Sequence, residues 1–199
     1  IKLLNENSLK QFKMNLQTDN YYNQYLHPQQ IECIERLVNS PKKCLINMWC
    51  GTGKTRTFTI KTFIEKNNFT VFVFPSLGLI NQYNNDYILN NEKPFNEFNN
   101  YKKLSFCSDN ESKLNSIDHN IKYTTEINIL KKFIKNTEKK IVLITYQSFE
   151  KFVNYCVEKK IFIDRIVYDE SHHIVGEQIQ DTIFNNCLLY TSDAADDDH

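Results

Sequence analysis

The chain has 199 residues, is 41% hydrophobic and 24% charged, and balances 24 basic against 24 acidic side chains. That is enough for one ordinary domain with a real core, and no apolar run approaches the roughly 18 residues that span a bilayer. Its six cysteines form no C-x-x-C pair, so they read as buried, reduced thiols of an intracellular protein rather than as a metal site or a disulfide framework.

Residues 1–19 read as an N-terminal extension, and their start, "IKLLNENSLK", has none of the charged, apolar and small-residue order of a secretory signal. Ile31, Ile34, Leu37 and Val38 share one face of a predicted helix. "KCLINMW" (43–49) then reads as a strand, and it runs directly into Gly51-Thr52-Gly53-Lys54-Thr55. The chain holds only four glycines, so two of them flanking one threonine is a local demand of the backbone. A strand, this loop and a predicted helix over 54–66 make the context of a phosphate loop. Its glycines turn amide groups inward, Lys54 reaches the β- and γ-phosphates, and the Thr55 hydroxyl ligates Mg²⁺. The helix N-terminus adds a favourable dipole. A full pattern has glycine where Met48 stands. Gly51, Thr52, Gly53, Lys54, Thr55 and the following Arg56 are therefore the candidate nucleotide contacts.

"TVFVF" (70–74) is the second predicted strand and 77–90 a helix, whereas "NNEKPFNEFNNYKK" (90–103) is polar, contains proline and reads as a loop. Further strands are predicted at 103–107, 141–145 and 162–168, with helices at 125–136 and around Phe149, Phe152, Val153 and Cys156. The rhythm predicts an α/β fold, a parallel sheet with helices on both faces. The last strand ends in Asp169-Glu170-Ser171-His172. An NTPase needs one carboxylate to hold Mg²⁺, the role that suits Asp169, and a second to orient or deprotonate water, the role that suits Glu170. His172 is a candidate for coupling to a neighbouring domain.

With the loop and the acid pair in place, the chain resembles the first RecA-like domain of superfamily 2 helicases and translocases. The likeness is to the DEAD/DEAH-like group and the type III restriction enzyme motor subunits, over roughly residues 20 to 180, and it implies a truncated ATP-binding domain over 20–186. "LHPQQIECI" (26–34) is similar to the segment whose glutamine reads adenine, which implies that role for Gln30, although His27 stands where arginine is usual. "VFVFPSLGLINQY" (71–83) and "LITYQSF" (143–149) resemble the family's nucleic-acid segments. The resemblance implies backbone contacts to DNA or RNA from Ser76, Gln82, Thr145 and Tyr146, with ATP and Mg²⁺ as cofactors. It also implies a second RecA-like domain, absent from this sequence, that supplies an arginine finger. The chain has only Arg36, Arg56 and Arg165, so the fragment alone is expected to be nearly inactive.

Residues 187–199, "CLLYTSDAADDDH", hold both alanines of the chain and four aspartates. The abrupt change of composition places them outside the fold, as a non-native or disordered tail. Without those four aspartates the rest of the chain is mildly basic. Two alternatives stay open: a stand-alone phosphotransferase, which needs its own arginines and an acceptor lid, and a nucleotide-gated binding module that performs no chemistry.

Overall fold

The computed structural model describes residues 20–38, 43–48, 51–107, 122–136, 138–169 and 189–194. Within them the elements in chain order are α1 (Asn20–Asn23), α2 (Pro28–Val38), β1 (Lys43–Met48), α3 (Lys54–Glu65), β2 (Phe69–Phe74), α4 (Leu77–Tyr83), β3 (Lys102–Phe106), β4 (Lys122–Thr124), α5 (Ile127–Lys135), β5 (Lys140–Thr145), α6 (Tyr146–Glu158), β6 (Arg165–Tyr168) and β7 (Leu189–Ala194). The strands form one sheet in the order β1-β7-β6-β2-β5-β3-β4, and every neighbouring pair is parallel.

The period of two along the strands divides the core into two faces. Phe72, Phe74, Ile141, Leu143 and Val167 pack with α2, α3 and α4, whereas Val71, Val73, Val142, Ile144, Ile166 and Tyr168 pack with α5 and α6. Every residue of β2, β5 and β6 is buried, which explains why these strands are near-continuous apolar runs. The expected α/β architecture, a parallel sheet with helices on both faces, is the one observed.

Three details correct the sequence reading. Residues 189–194, placed outside the fold by composition, form β7 between β1 and β6. A strand's ladder is made by main-chain groups, which every non-proline residue carries, so a polar segment such as "LYTSDA" can hold an interior position. The stretch 90–103 is not an open loop: Phe95–Asn100 wind into a 3₁₀ helix, and Phe95, Phe98 and Tyr101 are buried. In a helix of three residues per turn, residues three apart point the same way, so Phe95 and Phe98 make one apolar edge, and Tyr101 is buried just past the helix end. The predicted helix 77–90 stops being α-helical after Tyr83 and continues as a π-helical turn, Asn84–Ile88.

Two sets of contacts, the first of them buried, fix the end of the sheet away from the loops. Glu65, on the last turn of α3, pairs with Lys61 at 2.6 Å and with Arg165, at the start of β6, at 2.7 Å. Asp164 accepts hydrogen bonds from the Asn68 and Phe69 amides, both at 2.8 Å. The helix that follows the glycine loop and the strand that carries the acid are thereby tied together at their far ends.

Candidate active site

The glycine loop begins just past β1 and ends as α3 begins. Gly51 and Gly53 both have φ of +78°, the left-handed region where a side chain is strained. Gly53 is the N-cap of α3, and having no side chain it leaves the first-turn amides to an external acceptor. A Cβ at Gly51 would meet nothing within 4 Å, whereas one at Gly53 would lie 2.4 Å from Gln30 Nε2. A side chain at Gly53 would thus be strained by its φ and would also displace the Gln30 amide.

Lys54 is buried, and its ammonium donates to the Met48 carbonyl at 3.3 Å, across the base of the loop. α3 is covered almost all round, from Lys54 and Thr57 to Ile64. Its threonines turn their hydroxyls back on the helix: Thr57 donates to the Gly53 carbonyl at 3.0 Å and Thr59 to the Thr55 carbonyl at 2.8 Å. Thr55 itself is half-buried at the head of the helix.

Gln30 is 1% exposed, so it is neither an ordinary surface residue of α2 nor open toward a base. Its Nε2 donates to the Thr52 carbonyl at 2.9 Å and the Gly53 carbonyl at 3.3 Å, and its Oε1 accepts from the His27 amide at 2.9 Å. The structure therefore sets it against the backbone of the glycine loop, and an adenine contact would require those bonds to exchange. Arg56 donates from Nε to the Tyr25 carbonyl at 3.1 Å, and its guanidinium lies 5.1 Å from the Phe95 ring centre.

Asp169 follows β6 on the same edge of the sheet. Its amide donates to the Val73 carbonyl at 2.9 Å, and its own carbonyl accepts from the Tyr146 hydroxyl at 2.8 Å. Its charge is felt by two phenols. Burial, with smaller contributions from Tyr87 and Asp169, pushes Tyr83 well up. Tyr87 is raised by burial first, then by Asp86, with Asp169 adding to it. β7 alone separates β1 from β6, so the strands that lead to the loop and to Asp169 lie about 10 Å apart, two strand spacings.

That gap and its donor set fit a magnesium-bound polyphosphate: turned amides and an ammonium on one side, a carboxylate on the other. Among the described residues no three His, Cys, Asp or Glu side chains gather to hold a metal. A cation here would thus take its oxygens from Thr55, Asp169, water and the phosphates, as Mg²⁺ commonly does. Glu170 and His172 lie outside the described residues.

The expected nucleic-acid residues occupy the ends of the neighbouring strands. Ser76 caps α4, accepting from the Leu79 amide at 3.4 Å, and is exposed, as is Gln82 on the same helix. Thr145 ends β5, where it pairs in register with Phe74. It is buried, and its hydroxyl donates to Ser148 at 3.4 Å. Tyr146 is half-buried, with its ring stacked on Tyr168 at 6.1 Å and 20°. Sequence reasoning passed over Tyr83 and Thr59, whose hydroxyls meet at 2.9 Å. Their only sequence signal was position: one follows Gln82, and the other lies one turn beyond Thr55.

The family model described as type III restriction enzyme, res subunit, matches residues 23–192. Among solved structures, the chain is similar to a nuclease-deletion mutant of the Type ISP restriction-modification enzyme LlaGI in complex with a DNA substrate mimic. The two are 21% identical with a TM-score of 0.57, over 87% of this chain and 19% of that one. No curated protein sequence matches. The chain thus spans about a fifth of the solved protein it resembles.

Proposed function

The chain belongs to the family of type III restriction enzyme res subunits, and from that premise we propose that it is the ATP-binding domain of a motor that hydrolyses ATP along nucleic acid. One observation carries the reading. Two left-handed glycines and a buried lysine, at the head of a helix, lie on the same sheet edge as an aspartate that follows another strand. Ligands of parallel α/β sheets bind at that edge.

The amides of 51–55 hold the phosphates, and Lys54 neutralises charge on them. Thr55 and Asp169 hold the Mg²⁺, which when bound offsets charge developing on the transferring phosphoryl group. Glu170 orients the attacking water and His172 couples the site to the next domain. Ser76, Gln82 and Thr145 meet the nucleic-acid backbone, which positions without reading sequence, whereas Tyr146, expected beside them, is assigned to the Asp169 carbonyl its hydroxyl bonds. We place the domain at residues 20–194.

The arginines favour a second domain. Arg36 pairs with Glu32 on the exposed side of α2, Arg56 holds the Tyr25 carbonyl, and Arg165 holds Glu65. A finger reaching the nucleotide must come from elsewhere, and we assign it to a second RecA-like domain. Among the described residues no helix is long and apolar enough to cross a membrane, and we propose an intracellular setting.

The test is steady-state ATP turnover by the protein with its second domain. We expect stimulation by nucleic acid and loss of turnover in Lys54→Ala and Asp169→Asn. The 199-residue chain alone should be slower by roughly three orders of magnitude or more, the worth of an arginine finger. Brisk turnover by the lone chain, or stimulation by a small acceptor with indifference to nucleic acid, would favour the stand-alone phosphotransferase instead.

A further inference from the structure

The segments assigned to nucleic acid are linked to the nucleotide site at two places, each time by a tyrosine hydroxyl. Tyr146 follows Thr145 directly and opens α6. Its hydroxyl donates to the Asp169 carbonyl at 2.8 Å. That carbonyl belongs to the peptide plane joining Asp169 to Glu170, and a planar peptide turns as a unit. The preceding plane is held separately, by the Asp169 amide on the Val73 carbonyl at 2.9 Å. The Tyr146 hydroxyl therefore bears on the peptide that leads out of Asp169.

Tyr83 follows Gln82 and ends α4. It is 2% exposed, among the rings of Phe72, Phe74, Tyr87 and Phe98. A hydroxyl in such surroundings is unfavourable unless it is paired. It lies 2.9 Å from Thr59 Oγ1, whose single proton goes to the Thr55 carbonyl at 2.8 Å, so Tyr83 is the donor. A chain of two hydrogen bonds thus runs from the end of α4 to the main chain of the residue assigned to Mg²⁺.

We propose that Tyr83 and Tyr146 are positioning residues, through which nucleic acid bound at the ends of β2 and β5 sets the geometry of Thr55 and of the Asp169–Glu170 peptide. The proposal rests on the motor reading above. Strain at Gln82 or Thr145 reaches its tyrosine through one peptide bond, and each hydroxyl delivers it to the catalytic backbone. Neither tyrosine touches nucleotide. Their contribution is to the rate gained on binding the track rather than to the affinity for it.

The experiment uses the protein with its second domain and measures ATP turnover against the concentration of single-stranded DNA and RNA oligonucleotides. Tyr146→Phe and Tyr83→Phe keep the rings and remove the hydroxyls. Each should lower the nucleic-acid-stimulated kcat about five- to tenfold, the worth of one hydrogen bond. The half-saturating oligonucleotide concentration should stay within about twofold. Asp164→Ala, which loosens the far end of the sheet, is the control for general destabilisation and should keep the stimulation ratio. Stimulation undiminished in both phenylalanine variants overturns the relay, as does an equal loss in Asp164→Ala. A raised half-saturating concentration with kcat intact also overturns it, because the tyrosines would then be direct contacts. A wild-type protein indifferent to every oligonucleotide overturns the motor reading itself, and the relay with it.

Discussion

Replacing Gly53 by alanine should destabilise the chain more than the same replacement at Gly51, although both glycines have φ of +78°. A side chain in the left-handed region costs about 1–2 kcal/mol. At Gly51 nothing lies within 4 Å of the added Cβ, so that conformational penalty is the whole effect. At Gly53 the Cβ would sit 2.4 Å from Gln30 Nε2. The amide must move, and its bonds to the Thr52 and Gly53 carbonyls go with it. At about 1 kcal/mol net for each, Gly53→Ala should cost about 3–4 kcal/mol and Gly51→Ala about 1–2. Equilibrium urea unfolding without nucleotide, followed by circular dichroism, reads both as shifts of the midpoint at constant slope. In a Gln30→Ala background the excess at Gly53, about 2 kcal/mol, should vanish because the obstructing amide is gone. Equal costs at the two glycines, or an excess that survives Gln30→Ala, would refute the reasoning.

Other consequences follow from the same contacts. Glu65→Ala leaves Lys61 and Arg165 buried together without their shared carboxylate, and urea unfolding should show a loss of about 3–5 kcal/mol. Thr59→Val keeps the shape of the side chain but leaves the Tyr83 hydroxyl in the core without its acceptor. It should cost about 1–3 kcal/mol, and most of that should disappear when combined with Tyr83→Phe. Arg56→Lys loses the Nε bond to the Tyr25 carbonyl and the planar contact on Phe95. A lysine reproduces neither, so the melting temperature should fall by a few degrees. Burial, with Glu97 adding to it, pushes the Tyr101 phenol up to about 12. A raised phenol stabilises the fold fully below its unfolded value near 10, and that stability is lost as pH rises toward 12. Alkaline titration should show this decline, shallower in Tyr101→Phe.

The parts of the molecule that could be read from the sequence are those in which a few adjacent residues satisfy a demanding local requirement. Gly51 and Gly53 announce a backbone that must turn left-handed, and the run from Phe69 to Phe74 announces a strand covered on both faces. The rest depends on contacts distant in the chain. β7 was misjudged because its composition is unlike the remainder, yet a slot between β1 and β6 asks only for main-chain groups. β4 is three residues long, too short for any periodicity to appear. The 3₁₀ segment hid its buried edge, Phe95 and Phe98, among asparagines. The packing of Gln30 against the glycine loop was not legible, because its partners lie 22 and 23 positions away in the chain. The tyrosine hydroxyls were invisible for the same reason: Tyr146 and Asp169 are 23 residues apart, and Thr59 and Tyr83 are 24.

The central claim is that the loop from Gly51 to Thr55 holds the phosphates of a magnesium nucleotide. Calorimetric titration of the chain with MgATP tests it most directly. One site is expected, with an affinity that depends on magnesium and falls at least about tenfold in Lys54→Ala, which removes the charge-assisted contact to phosphate. Absence of binding by the folded chain, or binding that Lys54→Ala leaves unchanged, would contradict it.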